Sequence, residues 1–448
     1  MASENEILEE LKALFPGRVA SPERYLEESW WPLLWITKTY KGRALAVVLP
    51  ESVDDVVRLV QFAYKREVPV NVVGGNSSVT GASVPQGGVI VDMSRLDKIR
   101  EVNTSQRSVV AEAGVVLQRL ETEVNKAGFT VGQFPQSLDI ATVGGFISTM
   151  GSGHSSSGYG NIEDVVNRLE VVIPPGELYW TNFRRVPRSS LGPDLARLFI
   201  GAEGAFGIIT AAELKMYELP RFKWDDSVLF PSFKEGVEVA EKLSQMDIPP
   251  RMLRLYDELE TAYYTSLEGS IMIFSYTSQS RNIIEAIRTD VSTIVSHGFR
   301  GGALVEKLLA ERANYREHIS KILERGFIVD TVEVAASWDK ILGLYQAFRE
   351  KAGGIDGVFL VSAHLSHIYK QGACLYFTIL FTPSETVYFK IWDVAYEVAE
   401  RHGATISHHH GTGLIKKRYV EQEKPVTLYR RLKNAFDPKG LINPCKLV

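Results

Sequence analysis

What most constrains this chain is a succession of small-residue stretches in its first half, each set against an apolar, strand-like segment. Gly74-Gly75-Asn76-Ser77-Ser78-Val79-Thr80-Gly81 follows the apolar run 68–73. Pro135-Gln136-Ser137-Leu138-Asp139-Ile140-Ala141-Thr142-Val143-Gly144-Gly145-Phe146-Ile147-Ser148-Thr149 comes next and continues into Gly151-Ser152-Gly153. A third stretch runs from Tyr159 to Val166, and Gly201, Gly204 and Gly207 recur every three residues before Ile208-Ile209-Thr210. Residues this small let backbone N–H groups converge on an anion, with Ser and Thr hydroxyls as further donors. They also let a ligand pass close to the backbone. A pyrophosphate suits the first stretch and a flat ring system the second. A tight turn between strands is the alternative for the first, and a helix start packed closely on a strand for the second. No GxGxxG occurs, so a nicotinamide-binding Rossmann domain loses its main support.

The surrounding pattern alternates short strands and helices, which argues a mixed α/β or α+β scaffold. Segments 46–50, 68–73, 89–94 and 108–114 read as strands. Val56, Val57, Val60 and Ala63 fall on one helical stripe, with Ser52 or Asp54 as the N-cap. A second helix from 115 closes at Gly128. After Pro220 the elements lengthen into a repeated strand–turn–helix texture, as expected of a sheet covered by helices. Four regions follow: a helical lead-in (1–45), a ligand-binding domain (46–220), a second α+β domain (221–415) and a C-terminal segment (416–448). At 448 residues the chain is too long for one ordinary core.

Charge narrows the function. Lys and Arg total 50 against 54 acids, a net of −4, which gives no reason to expect nucleic acid as a partner. No apolar run is long enough to span a bilayer. The acidic start resembles neither a secretory signal nor a transit peptide. Two cysteines, Cys374 and Cys445, cannot build a disulfide framework, so a cytoplasmic location is expected. The cluster Trp30, Trp31, Pro32, Leu33, Leu34 and Trp35 is compatible with peripheral membrane contact, although a buried aromatic plug is preferred. A homodimer is compatible with the sequence.

The second half holds the chemistry-bearing side chains. Six of nine histidines lie between 364 and 410. His364 and His367 flank Leu365-Ser366, Tyr376 follows, and His408, His409 and His410 are consecutive ahead of Gly411-Thr412-Gly413. On a strand, neighbours point to opposite faces, so two of the three consecutive histidines at most could share a site. Imidazoles move protons near neutral pH or bind an anion when charged. His364 and His367 also read as satisfied core histidines, or as metal ligands with two more donors from 408–410. No metal is expected.

In their order and spacing the small-residue stretches resemble the FAD domain of the PCMH-type, or vanillyl-alcohol-oxidase, flavoprotein superfamily. The resemblance covers roughly 46–220 and returns at Asp437-Pro438-Lys439-Gly440-Leu441-Ile442-Asn443-Pro444. It implies an α+β fold: a two-subdomain FAD-binding domain plus an α+β cap with an antiparallel sheet covered by helices. It assigns Gly74, Gly75, Asn76, Ser77 and Ser78 to the pyrophosphate. Pro135, Ser137, Asp139, Thr142, Val143, Gly144 and Ser148 go to the flavin and pyrophosphate. Glu203, Gly207, Ile208 and Ile209, with Thr210, go to the adenosine or ring edge. Some relatives tether the flavin through His or Cys. Asn76 and Ser77 stand in the usual tether loop and His154 is the sole such residue in 46–220, so FAD is expected to be non-covalent.

The cap motifs 364–377 and 407–416 resemble the alkyldihydroxyacetonephosphate synthases. That likeness implies exchange of an acyl for an alkyl group on dihydroxyacetone phosphate through a flavin N5 adduct, and a lipid-derived substrate. It implies Tyr376 as proton acceptor, His408, His409 and His410 as its assistants, and Arg254 as the contact for phosphate or carboxylate. The family's second arginine has Arg316 or Lys321 as its candidate here. The rival is an FAD-linked 2-hydroxyacid dehydrogenase or oxidase of the D-lactate or glycolate type, which shares a stretch like Gly411 to Lys417.

Overall fold

Four short strands open the fold, and their near-continuous apolar sequence explains why they pair inside. Ala46–Val48, Val89–Asp92 and Val70–Val73 run parallel, with Val89–Asp92 in the middle. Val19–Ala20 adds an antiparallel edge. Parallel strands covered on both faces lack the polar alternation of a half-exposed sheet, and Ala46–Val48 and Val89–Asp92 are buried throughout. These observations come from a computed structural model that describes residues 3–26, 32, 36, 42–186, 188–313 and 315–447, without the side chains of 311–316. Trp30, Trp31, Leu33, Leu34 and Trp35, and the Arg316 side chain, lie outside the described residues.

The crossover helix Val53–Arg66 starts where the sequence predicts. Ser52 accepts from the Asp55 backbone and Asp55 answers with a bond to the Ser52 N–H, a reciprocal cap. Leu59 takes the fully buried place expected of Val57, beside Val56, Val60 and Ala63. The next helix, Leu117–Lys126, is followed by Gly128 at φ +84°, the left-handed conformation that ends a helix cheaply for glycine. A second, antiparallel sheet orders Ile99–Asn103, Ser108–Glu112, Ile208–Lys215, Val166–Ile173 and Glu177–Trp180. Val172 and Ile208 join its core to that of the first sheet.

From 222 a six-stranded antiparallel sheet takes over: Phe222–Phe230, Ser270–Ser278, Met252–Tyr256, Val358–Ser366, Gly372–Phe381 and Ile328–Ser337. Strand alternation divides its faces. Leu253, Leu255, Phe274, Leu365, Leu375 and Phe377 pack under helices that include Phe233–Ser244, Trp338–Gly353 and Glu385–Arg401. Arg254, Tyr256, His364, Tyr376 and Thr378 lie on the opposite face and line a cavity. The tail comes back to the first sheet. Leu441 accepts from Val70 N–H at 2.8 Å and the Asn443 N–H donates to Val70 at 2.7 Å. Lys433 is buried among Ala205 O, Asp437 and Ile442 O, which holds that return in place. No helix among the described residues is long and apolar enough to cross a membrane.

Phe377 is fully buried, its ring 4.2 Å from that of Phe348. Phe377→Ala should cost roughly 3–5 kcal/mol by removing an aromatic side chain from a close-packed core. A denaturant midpoint for cap unfolding that equals wild type would contradict this packing.

Candidate active site

The two longest small-residue stretches meet. A Cβ added at Gly75 would lie 1.8 Å from Ile140 O, and one at Gly74 would lie 2.2 Å from Thr142 Oγ1. Any larger residue would therefore drive the first loop off the second. Together they wall a cavity of about 660 Å³, inside the ~300–1,000 Å³ range of small-molecule sites. Gly74, Gly75, Asn76, Ser77, Ser78, Pro135, Ser137, Asp139, Thr142, Gly144, Ser148, Glu203, Gly207, Ile208 and Ile209 all line it. Small side chains and hydroxyls at a continuous wall are the donor set a dinucleotide needs, so these residues fit FAD.

Some expected residues are placed differently. Val143 is buried in the core, its N–H bonded to Val115 O at 2.9 Å, and does not line the cavity. Thr210 donates to Glu170 at 2.8 Å and is turned away as well. Glu203 reaches the cavity wall, but its carboxylate accepts the Thr412 and Gly413 N–H groups, the latter at 3.0 Å. Burial raises its pKa, partly offset by those bonds. Its role is to hold a loop. His154 stacks on Phe134 and is not on the wall. Lys321 is exposed and paired with Glu317, so it does not supply the second arginine's function; His318, three residues earlier, does line the cavity.

The opposite end of the cavity belongs to the cap. Arg254, His364, His367, Tyr376, His409 and His410 line it; His408 does not. The three consecutive histidines are not on a strand. Their backbone wraps the buried Glu333 carboxylate, and the N–H groups of His408, His409 and His410 donate to its Oε1 at 3.0, 3.0 and 2.7 Å. The other oxygen lies 2.9 Å from His409 Nδ1. Burial would raise Glu333, but His410, His409 and Lys416 outweigh it and hold the carboxyl well below its usual range. This wrap, rather than strand alternation, is why two of the three histidines share the cavity. His408 sits behind them, 2.6 Å from the Tyr369 hydroxyl and 3.0 Å from His409. The Tyr376 hydroxyl is 3.4 Å from His409 Nδ1. His367 contacts the Ser152 and Ser156 hydroxyls at 3.1 and 2.9 Å.

Donor atoms of His367, His408 and His409, and of Glu333, His409 and His410, come within 4.8 Å of one another. Each is already engaged by protein hydrogen bonds or close polar contacts, the arrangement of a proton-carrying network. Glu333 and Glu260, which accepts from His364, were not anticipated. Glu333 had a signal: an acid between Val332 and Val334 on a mainly apolar strand that also carries Asp330. Glu260 had none, because its helix places it by packing.

Two outcomes follow from this geometry. Glu333→Ala strips a charge from beside buried Lys416 and leaves three N–H groups unmet, an expected loss on the order of 3–5 kcal/mol by urea unfolding. A loss below 1 kcal/mol would show that the wrap does not depend on the carboxylate. The second outcome concerns pH. Burial, more than the neighbouring charges, brings His408 from 6.5 to about 4 and His410 to about 3. The unfolded chain takes up those protons first. Stability from these two groups is therefore complete above pH ~6.5 and falls as pH drops toward 4. A double His408→Asn, His410→Asn variant should show a flatter stability profile across that window.

Two family models match the chain: an FAD binding domain over residues 44–182, and the C-terminal domain of FAD linked oxidases over 225–447. An alkyldihydroxyacetonephosphate synthase of Dictyostelium discoideum is 29% identical, covering 90% of this chain and 73% of the relative. An uncharacterized FAD-linked oxidoreductase of Escherichia coli (strain K12) is 27% identical, covering 89% and 87%. A solved alkyldihydroxyacetonephosphate synthase superposes with a TM-score of 0.81 at 25% identity, covering 99% of this chain and 85% of that one. The small-residue cradle thus has the cofactor its chemistry asks for: the chain belongs to the FAD-linked oxidases, the PCMH-type flavoproteins that use FAD.

Proposed function

We propose that this flavoprotein is a redox-neutral transferase that exchanges an acyl for an alkyl group on dihydroxyacetone phosphate. The observation that carries the reading is the Tyr376 hydroxyl placed 3.4 Å from His409 on the same cavity wall as Arg254. When bound in the cradle of Gly74 to Ser78 and Pro135 to Ser148, FAD would supply an electrophilic ring. The protein's own residues do the rest. Tyr376 takes a proton from substrate carbon and passes it toward His409, whose orientation Glu333 fixes. Arg254 holds the substrate's phosphate. His408 and His410 stay neutral at pH 7 because burial disfavours their charge, so both remain available as hydrogen-bond partners. The 27–29% identity to synthases and the shared cap motifs support this assignment.

Tyr376→Phe should slow exchange of a substrate proton with solvent by about 10²-fold or more, the usual scale of general acid–base help. The measurement is loss of isotope from acyl-dihydroxyacetone phosphate; unchanged exchange removes Tyr376 from the mechanism. D-lactate or glycolate under anaerobic conditions should leave the flavin yellow. Bleaching would instead establish the 2-hydroxyacid dehydrogenase, a reading that Arg254 beside imidazoles also favours because it suits a carboxylate next to a hydroxyl. Acid precipitation should release all the colour, as expected of FAD without a tether; colour in the pellet would reveal a covalent link.

A further inference from the structure

Behind Tyr376 lies a second chain of polar groups, of which the mechanism above uses Arg254 but neither His364 nor Glu260. Glu260, from the helix Glu258–Thr265, is buried, and its carboxylate lies 2.9 Å from His364 Nδ1. Thr378 donates to the same carboxylate at 2.9 Å. His364 Nε2 is 2.6 Å from an Arg254 guanidinium nitrogen. Arginine has no acceptor, so Arg254 donates and Nε2 must carry a lone pair. Nδ1 then bears the proton and gives it to Glu260. This fixes His364 as the neutral Nδ1–H form. The Tyr376 ring lies flat against it, 4.8 Å away at 10°.

Arg254 is 8% exposed, and its Nε is buried with no hydrogen-bond partner among the described residues. A buried guanidinium satisfied only in part by an imidazole is an incomplete ion pair. An oxyanion entering the cavity would complete it. When that anion takes the Arg254 donor, His364 Nε2 gives up its bond to Arg254, and Glu260 stands ready to balance a charge on the ring. Burial would raise Glu260, but His364, Thr378 and Arg254 outweigh it and keep the carboxylate ionised.

We infer that Arg254, His364 and Glu260 form a proton-coupled oxyanion site, in which binding of the substrate's anionic group draws one proton from solvent onto His364 Nε2. The bond from Arg254 to His364 breaks and one from Arg254 to the anion forms. The new Nε2–H becomes a second donor to the anion. Charge balances: one anion and one proton enter together. Glu260 is a positioning residue that holds the ring and offsets its charge. Among the described residues, the groups against His364 include Arg254 and Tyr256 from one neighbouring strand, Tyr376 from the other and Glu260 from the helix; Thr378 and Tyr264 lie around Glu260. Asp257, whose pKa burial pushes up to about 6, sits one step behind, bonded to Ala363 N–H. The inference rests on the reading of Arg254 as the anion contact. It holds for a phosphate or a carboxylate, since the shared chemistry is the oxyanion.

Calorimetric titration of the holoenzyme with sulfate, and separately with D-lactate, in buffers of different ionisation enthalpy reads the proton directly. Neither probe titrates above pH 6. About one proton should be taken up per anion bound near pH 8, with affinity falling roughly tenfold per pH unit above that. Binding of sulfate but not D-lactate assigns the site to phosphate esters; the reverse assigns it to hydroxy acids. His364→Asn should bind more weakly and take up no proton, and Glu260→Gln should take up less. Anion binding without proton uptake in the wild type overturns the coupling while leaving Arg254 as the anion contact. Uptake that persists in His364→Asn overturns it too, by placing the proton elsewhere. Absence of binding by either probe removes the Arg254 reading and the coupling together.

Discussion

The segment 407–413 is held from two sides by two buried carboxylates, and the rest of the site depends on that clasp. Glu333 comes from the six-stranded sheet and collects the N–H groups of His408, His409 and His410. Glu203 comes from the FAD-binding half and collects those of Thr412 and Gly413. Backbone N–H groups in irregular chain must find partners when buried. Here both carboxylates supply them, so one short loop is anchored to both halves of the molecule. Asn443 extends the anchorage by donating to Glu203 O at 2.8 Å while its own carbonyl accepts from Val72. Lys416, fully enclosed, adds a positive charge 3.6 Å from Glu333.

This arrangement also sets the electrostatics of the cavity. One anionic carboxylate and one enclosed ammonium lie beside His408 and His410, which burial keeps uncharged. Unpaired charge is expensive in such a place. Imidazoles and a phenol linked by close contacts can move a proton there. Further along, Arg254 and His364 of the same sheet face join Glu260 of the adjoining helix in a second polar chain. Both polar chains thus reach the cavity whose other wall is the small-residue cradle.

Much of this was legible along the chain. The apolar runs at 68–73 and 89–92 form buried parallel strands, Ser52 caps its helix, and Gly128 ends the next. Most residues of the first two loops rich in Gly, Ser and Thr line the cavity, whereas the stretch 159–166 and Gly201 do not. Such features are local: backbone conformation and side-chain size act within a few positions. The exceptions share one cause. Val143 and Thr210 sit inside the right stretches but on the inward side of their elements, and only packing chooses the side. The likeness to the synthases groups His408 with its neighbours, and strand alternation admits two of the three at most; a wrap around Glu333 decides that the rings facing inward are those of His409 and His410.

By itself, then, the sequence determined the cradle and the cofactor class it suits, because small residues and hydroxyls are chemical requirements written at fixed positions. It also determined which residue types crowd the second half. The tertiary structure alone decided their partners. Glu333 meets histidines about 75 residues away, and Glu260 meets His364 across 104. Pairings over such separations follow from sheet register and helix docking, and a buried carboxylate acquires its role only from the groups that folding places around it.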